Sequence, residues 1–172
     1  EYQADLLPPI PGAADGARDL AALLAGSHTF ESPDHYVLTL TDSEATTVRV
    51  REALERHFTG TASAETAVIY WCGHAWPDTA GRPRLLTHDT DPERLAETSI
   101  TLDELRAAIE TRFDPDATAV ILVDVSATVP DTGWTPPGGL AGRDLAEEFD
   151  AGIKTRKANC QVLTASYRAS DE

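Results

Sequence analysis

The chain has few basic side chains. Fourteen Lys and Arg stand against 29 Asp and Glu, a formal net charge of −15 over 172 residues. A phosphate-binding face needs clustered Lys and Arg, so this balance argues against nucleic acid and against anionic membrane as partners. It fits an acidic, solvated surface. No apolar run approaches the roughly 20 residues of a membrane span, and no signal peptide is visible. Cysteine is scarce too: only Cys72 and Cys160 occur. Both fall in strand-like segments, which suits buried thiols in a reducing compartment better than a disulfide framework. A cytoplasmic location is the expectation. No Cys-x-x-Cys or His-x-x-x-His pairing suggests zinc. Asp78 and the Asp89/Asp91 pair lack the spacing of a known calcium loop. No metal and no cofactor are therefore expected. Internal repeats and domain boundaries are not visible either, so residues 1–172 read as one domain, long enough to bury a core.

What is present is an alternation of short apolar strands with amphipathic helices. The stretch Ala67 to Trp76 reads AVIYWCGHAW. Its first six residues are apolar, two of them aromatic and two β-branched, which predicts a buried central strand that stops at Gly73-His74. Ala117 to Val123 (ATAVILV) predicts a second such strand, ending in Asp124-Val125-Ser126. Shorter strands are predicted over Tyr36 to Leu40, Arg84 to Thr87 and Gln161 to Ser166, the last with Cys160 before it. The 3.6-residue period predicts helices over 13–24 and 46–58. A capping box, Thr101-Leu102-Asp103-Glu104, opens another that runs to about Arg112. A short helix is predicted over Ala141 to Phe149. Leu7-Pro8-Pro9-Ile10-Pro11 is irregular, and Pro77 to Pro83 and Thr128 to Gly139 read as loops. The alternation predicts a three-layer α/β sandwich: a mostly parallel central sheet with helices on both faces. Open α/β sheets bind ligands beyond the C-terminal ends of their strands. If the two long strands are neighbours, His74 and Ser126 project from one rim.

These motifs resemble those of a caspase-like domain of the prokaryotic type, in the caspase, metacaspase and paracaspase superfamily of cysteine peptidases. That family has an apolar strand ending in Ser-Gly-His-Gly, which stands here as Cys72-Gly73-His74-Ala75. A second apolar strand ends in Asp-x-Cys, often followed by His-Ser-Gly, and stands here as Asp124-Val125-Ser126-Ala127-Thr128. The catalytic His of caspases lies about 50 residues before the Cys, a gap similar to the one here. Weaker likenesses lie in Pro11 to Leu20, in His88 to Asp91 with Ile100 to Leu105, and in Val162 to Ser166. The departures are Ser126 at the nucleophile position, Ala75 for a glycine, and Ala127, Thr128 and Val129 for His-Ser-Gly. The resemblance also implies that the family's first strand, and its last strand and helix, lie outside this sequence.

The resemblance implies a caspase-haemoglobinase-like fold and an endopeptidase that cleaves after a basic residue, in a bacterial stress or defence setting beside sensor or effector modules. It implies His74 as general base, position 126 as nucleophile, and an oxyanion hole from the amides of Gly73 and Ser126. Asp124 would floor a pocket for Arg or Lys. Trp76 and Trp134, both in loops, are candidates to line a peptide groove, whereas Trp71 reads first as core. Cysteine suits the nucleophile role because its thiol, near pKa 8.5, deprotonates readily. A serine hydroxyl needs a base within reach, itself oriented by a third group. The Ser126 form is expected to turn over poorly or not at all, whether the serine was introduced or arose naturally. In the alternative, the chain is a natural pseudoprotease that acts as a protein-binding adaptor or regulator. A third possibility is an unrelated α/β binding domain. There His74 is a histidine satisfied by backbone, Ser126 a loop serine outside any G-x-S-x-G elbow, Asp124 a helix cap and Cys72 a core thiol.

Overall fold

A computed structural model describes residues 7–26, 37–57, 66–112, 116–126 and 160–167. Along the chain these form α1 (Ala13–Ala25), α2 (Thr47–Arg56), β1 (Thr66–Pro77), β2 (Pro83–Leu86), β3 (Ser99–Thr101), α3 (Leu102–Arg112), β4 (Thr118–Ser126) and β5 (Cys160–Tyr167). The five strands make one sheet in the order β3-β2-β1-β4-β5. β1, β4 and β5 run parallel, whereas β2 and β3 are antiparallel to their neighbours. The fold is α/β, but the sheet is mixed rather than mostly parallel.

The mixture has a local cause. β1 does not stop at Gly73-His74. It continues through Ala75, Trp76 and Pro77, then folds back so that Ala75 pairs with Leu85 and Pro77 with Pro83. The stretch expected to be a polar loop is a tight hairpin turn. The Asp78 carboxylate accepts from the backbone N–H groups of Ala80 and Arg82, both at 2.9 Å. Gly81 supplies the left-handed backbone, at φ 78°, that the turn requires. Prolines are tolerated at the hairpin's last pair because the ladder ends there.

The core lies on one face of the sheet. Ala119, Ile121, Val123 and Val125 of β4 alternate inward and pack with Val50 and Leu54 of α2 and with Leu105, Ala108 and Ile109 of α3. The alternation is the period of two that a half-buried strand shows. α1 contacts β1 instead, and a side-chain carbon at Gly16 would sit 3.8 Å from the Tyr70 hydroxyl oxygen. Arg51 of α2 ties the helices to the sheet edge. It donates to the Glu104 carboxylate at 2.6 Å and to the carbonyls of Glu97 and Ser99 at 3.1 Å each. Glu104 in turn closes the predicted capping box. Its carboxylate accepts from the Thr101 amide at 2.7 Å, and its own amide donates to the Thr101 hydroxyl at 3.0 Å.

The strand predicted over Tyr36 to Leu40 does not form over the described residues 37–40. Leu40 still packs against the core whereas Leu38 is exposed, so the apolar pattern there marks one packed side chain and no ladder. The helix predicted over 141–149 and the loop over 128–139 lie outside the described residues.

The hairpin depends on Asp78. Its carboxylate meets Arg84 at 3.3 Å with both side chains buried, and the exposed Arg82 at 3.0 Å. Asp78→Ala leaves the Arg84 guanidinium without its anion and is expected to cost about 3 kcal/mol. Arg82→Ala removes a solvent-screened partner and is expected to cost less than about 1 kcal/mol. Urea unfolding of the two variants tests the contrast, and equal losses would contradict it.

Candidate active site

The site is set by the register between β1 and β4. Nine consecutive pairs run from Thr66↔Thr118 to His74↔Ser126. Directly paired residues of adjacent strands, roughly 4.8 Å apart, put their side chains on the same face. Cys72 therefore pairs with Asp124, and His74 with Ser126, on the face away from Val125 and the α2–α3 core. The two residues that the motifs single out, 52 positions apart, are brought side by side.

His74 is 1% exposed. Its Nδ1 lies 3.2 Å from the Ser126 carbonyl oxygen, and its Nε2 lies 2.9 Å from the Pro8 carbonyl oxygen. Both oxygens are acceptors. A neutral imidazole has one N–H to give; only the imidazolium donates from both nitrogens. Burial pushes the His74 pKa below its ordinary 6.5, although the two carbonyls pull the other way. At neutral pH the ring is thus neutral. It offers a lone pair, as a base must, but that lone pair faces one of two backbone carbonyls. The ring is oriented by these carbonyls, from two distant parts of the chain.

The other predicted residues are placed as follows. Gly73 is buried in the ladder opposite Val125. Asp124 is exposed, not partly buried at a pocket floor. β4 runs on through it to Ser126, so it does not cap a helix either. Its carboxylate lies 4.0 Å from the Cys72 sulfur, and burial pushes that thiol's pKa up. Tyr70 is on the same face, and burial, then its bond to Cys72, push its phenol up to about 12. Trp76, expected in a loop beside a peptide groove, stands inside β1 and is 0% exposed. It packs with Leu86, Leu95 and Leu7, so the extension of β1 converts it into core. Trp71 packs against the main core, and its indole N–H has no hydrogen-bond partner among the described residues. Trp134 lies outside the described residues.

Cys160 pairs with Ala119, a core-facing position, whereas Cys72 pairs with Asp124 on the other face. The two thiols are free. The acidic candidates have structural roles: Asp89 accepts from the Thr47 amide at the start of α2, at 2.7 Å, and Asp91 from the Glu93 amide, at 2.9 Å. Among the described residues no three His, Cys, Asp or Glu converge as metal ligands, and no helix is long and apolar enough to cross a membrane. Pro8 is the site residue that sequence reasoning missed. Its contribution is a backbone carbonyl, and the only available signal was a proline-rich segment unable to spend its carbonyls in a helix.

Comparison with protein-family models, with characterised proteins and with solved structures finds no match to this chain. The chemistry of the site therefore rests on its geometry, and the state of His74 is its most direct test. With a folded pKa below 6.5, His74 takes up a proton more readily when the chain unfolds. Stability should then fall as the pH drops below about 6.5. A second loss should follow below about pH 4. There the carboxylates of Asp78, Asp89 and Glu104, held below their usual range by backbone and side-chain donors against the effect of burial, take up protons. His74→Gln is expected to lack the first loss and keep the second. Urea midpoints across pH decide this, and parallel profiles would mean that His74 is not buried in the neutral form.

Proposed function

We propose that this chain is a caspase-like, peptide-bond-cleaving domain whose nucleophile position is held by Ser126, and that as it stands it turns over poorly or not at all. The observation that carries the proposal is the pairing of His74 with Ser126 at the end of the parallel β1–β4 ladder. Histidine and nucleophile at the ends of adjacent parallel strands are what the resemblance implies. The position of α1 on the Tyr70 side, with α2 and α3 on the other, favours the three-layer arrangement that goes with it. In this reading His74 is the base and the side chain at 126 attacks the peptide carbonyl. The amides of Gly73 and Ser126 receive the developing oxyanion. The exposed Asp124 offers two oxygens to an arginine or lysine of the peptide.

Serine makes this frame weak. A hydroxyl must lose its proton to the imidazole as it attacks, so the imidazolium must be stabilised. The two backbone carbonyls that meet His74 do this less well than a carboxylate. A thiol demands less of its base. A bacterial stress or defence setting inside the cell is part of the proposal and follows from the family likeness alone. The second reading, a catalytically silent adaptor, is favoured by the same ring: both His74 nitrogens already meet backbone carbonyls.

Ser126→Cys should hydrolyse fluorogenic peptides with Arg or Lys at the cleavage position at least ~100-fold faster than the parent chain. Peptides with Asp there should not be cleaved, and adding His74→Ala should abolish the gain. A folded Ser126→Cys protein that cleaves none of these peptides, also when Leu7→Asp is added to it, would sink the peptidase reading and leave the adaptor.

A further inference from the structure

We infer that the segment Leu7–Pro11 is a strap built into the fold, which covers His74 and holds the site closed until the segment is displaced; its regulatory meaning rests on the peptidase reading, whereas the contact itself does not. The strap reaches His74 from 66 positions away in sequence, through the 2.9 Å contact between the Pro8 carbonyl and Nε2. Pro8 and Pro9 are exposed while His74 is 1% exposed, so the segment forms the outer layer here.

Its two ends are held differently. On the C-terminal side, Gly12 at φ 79° turns the chain into α1, and the Ile10 carbonyl accepts from the Ala13 amide at 3.2 Å. That end leads directly into a thirteen-residue helix. On the N-terminal side the described anchor is one half-buried side chain, Leu7, set against Trp76, Leu86 and Leu95. Between the anchors, Pro8, Pro9 and Pro11 have no N–H to donate, so the strap cannot be zipped onto the sheet as a strand. A segment held, among the described residues outside α1, by one carbonyl and one apolar side chain belongs to the low-stability end of a structure, the part that opens locally while the core stays folded.

The site chemistry gives such opening a consequence. With the strap in place, Nε2 faces a carbonyl and the ring is shut away from solvent. Lifting Leu7 and Pro8 removes that carbonyl and opens a path to the imidazole, without disturbing the β1–β4 register that sets His74 beside Ser126. A peptide that displaces Leu7 from its apolar seat would have the same effect, and binding would then uncover the base.

The test measures the accessibility of His74 directly. The full chain, Leu7→Asp and the gentler Leu7→Ala are treated with diethylpyrocarbonate, and labelling of His74 is followed by peptide mass spectrometry. Labelling of the parent chain should be slow relative to the half-exposed His57 and His88. It should accelerate about tenfold or more in Leu7→Asp, and less in Leu7→Ala, with the helical circular dichroism unchanged. Rapid labelling of the parent, or equal rates in the parent and a folded Leu7 variant, overturns the strap. If Leu7→Asp unfolds, Leu7→Ala decides. The same substitutions in the Ser126→Cys background separate the two readings. Faster labelling with faster peptide hydrolysis supports both. Faster labelling with no hydrolysis keeps the strap and sinks the peptidase, and hydrolysis with unchanged labelling does the reverse.

Discussion

The pairing of β1 with β4 is the constraint on which the rest depends. In a ladder with a side-chain period of two, a slip of one residue moves a strand's whole apolar set to the other face. Here that slip would turn Ala119, Ile121, Val123 and Val125 away from α2 and α3, and would set His74 opposite a core valine instead of Ser126. The packing of Ile121 and Ile109, both 0% exposed, therefore fixes the geometry of the site. The side chains of the main core lie on one face, and the reactive candidates lie on the other with the small Trp76 cluster. The main core and the site share a register without sharing a face.

The extension of β1 beyond His74 is the second constraint. In a sheet of purely parallel strands the histidine would stand at an open rim. Here the chain passes it by three residues and doubles back, so His74 sits where a parallel ladder on one side gives way to an antiparallel hairpin on the other. The hairpin brings its own small core, Trp76, Leu86 and Leu95, into which Leu7 fits. The buried Asp78–Arg84 pair holds its turn. That small core explains how a proline-rich segment with almost no backbone bonding can lie across the site. Its seat is supplied by residues that the hairpin, not the parallel sheet, puts in place.

The parts of this arrangement that were legible in the sequence are those with side-chain periodicity. The run from Ala67 to Cys72 and the one from Ala117 to Val123 announced the central strands. Thr101 and Glu104 announced the start of α3 because a capping box needs those two side chains three residues apart. The motif spacing brought His74 and Ser126 together. What was not legible depends on backbone. Pro77 to Pro83 contains proline, glycine and aspartate, which punctuate a loop and a tight hairpin turn alike, so the sequence marks the strand at Arg84 but not its antiparallel pairing with β1, nor the place of Trp76 inside β1. Val37 to Leu40 carries apolar residues but makes no ladder, and Leu38 is exposed; an apolar pattern does not say whether a neighbouring strand is there to pair. The carbonyls of Pro8 and Ser126 have no sequence signature at all.

The same distinction bears on what the site is able to do. Placement and chemistry are separable here. The ladder pairs His74 with Ser126, but the chemistry depends on what else addresses the ring. Asp124, the nearest carboxylate along β4, is on the right face but one row away, against the Cys72 sulfur. The His74 ring is met by carbonyls, which accept a proton's hydrogen bond without bringing a charge to balance it. Burial then favours the neutral ring. A serine in this setting asks the histidine to become a buried cation with weak compensation, the step that desolvation opposes most. A cysteine shifts the demand, since its thiol deprotonates far more easily and the histidine need only share the proton. In the proposed reading the identity of residue 126 decides between a working and a silent site within an unchanged frame, because the two backbone carbonyls that meet the ring bring no charge to it.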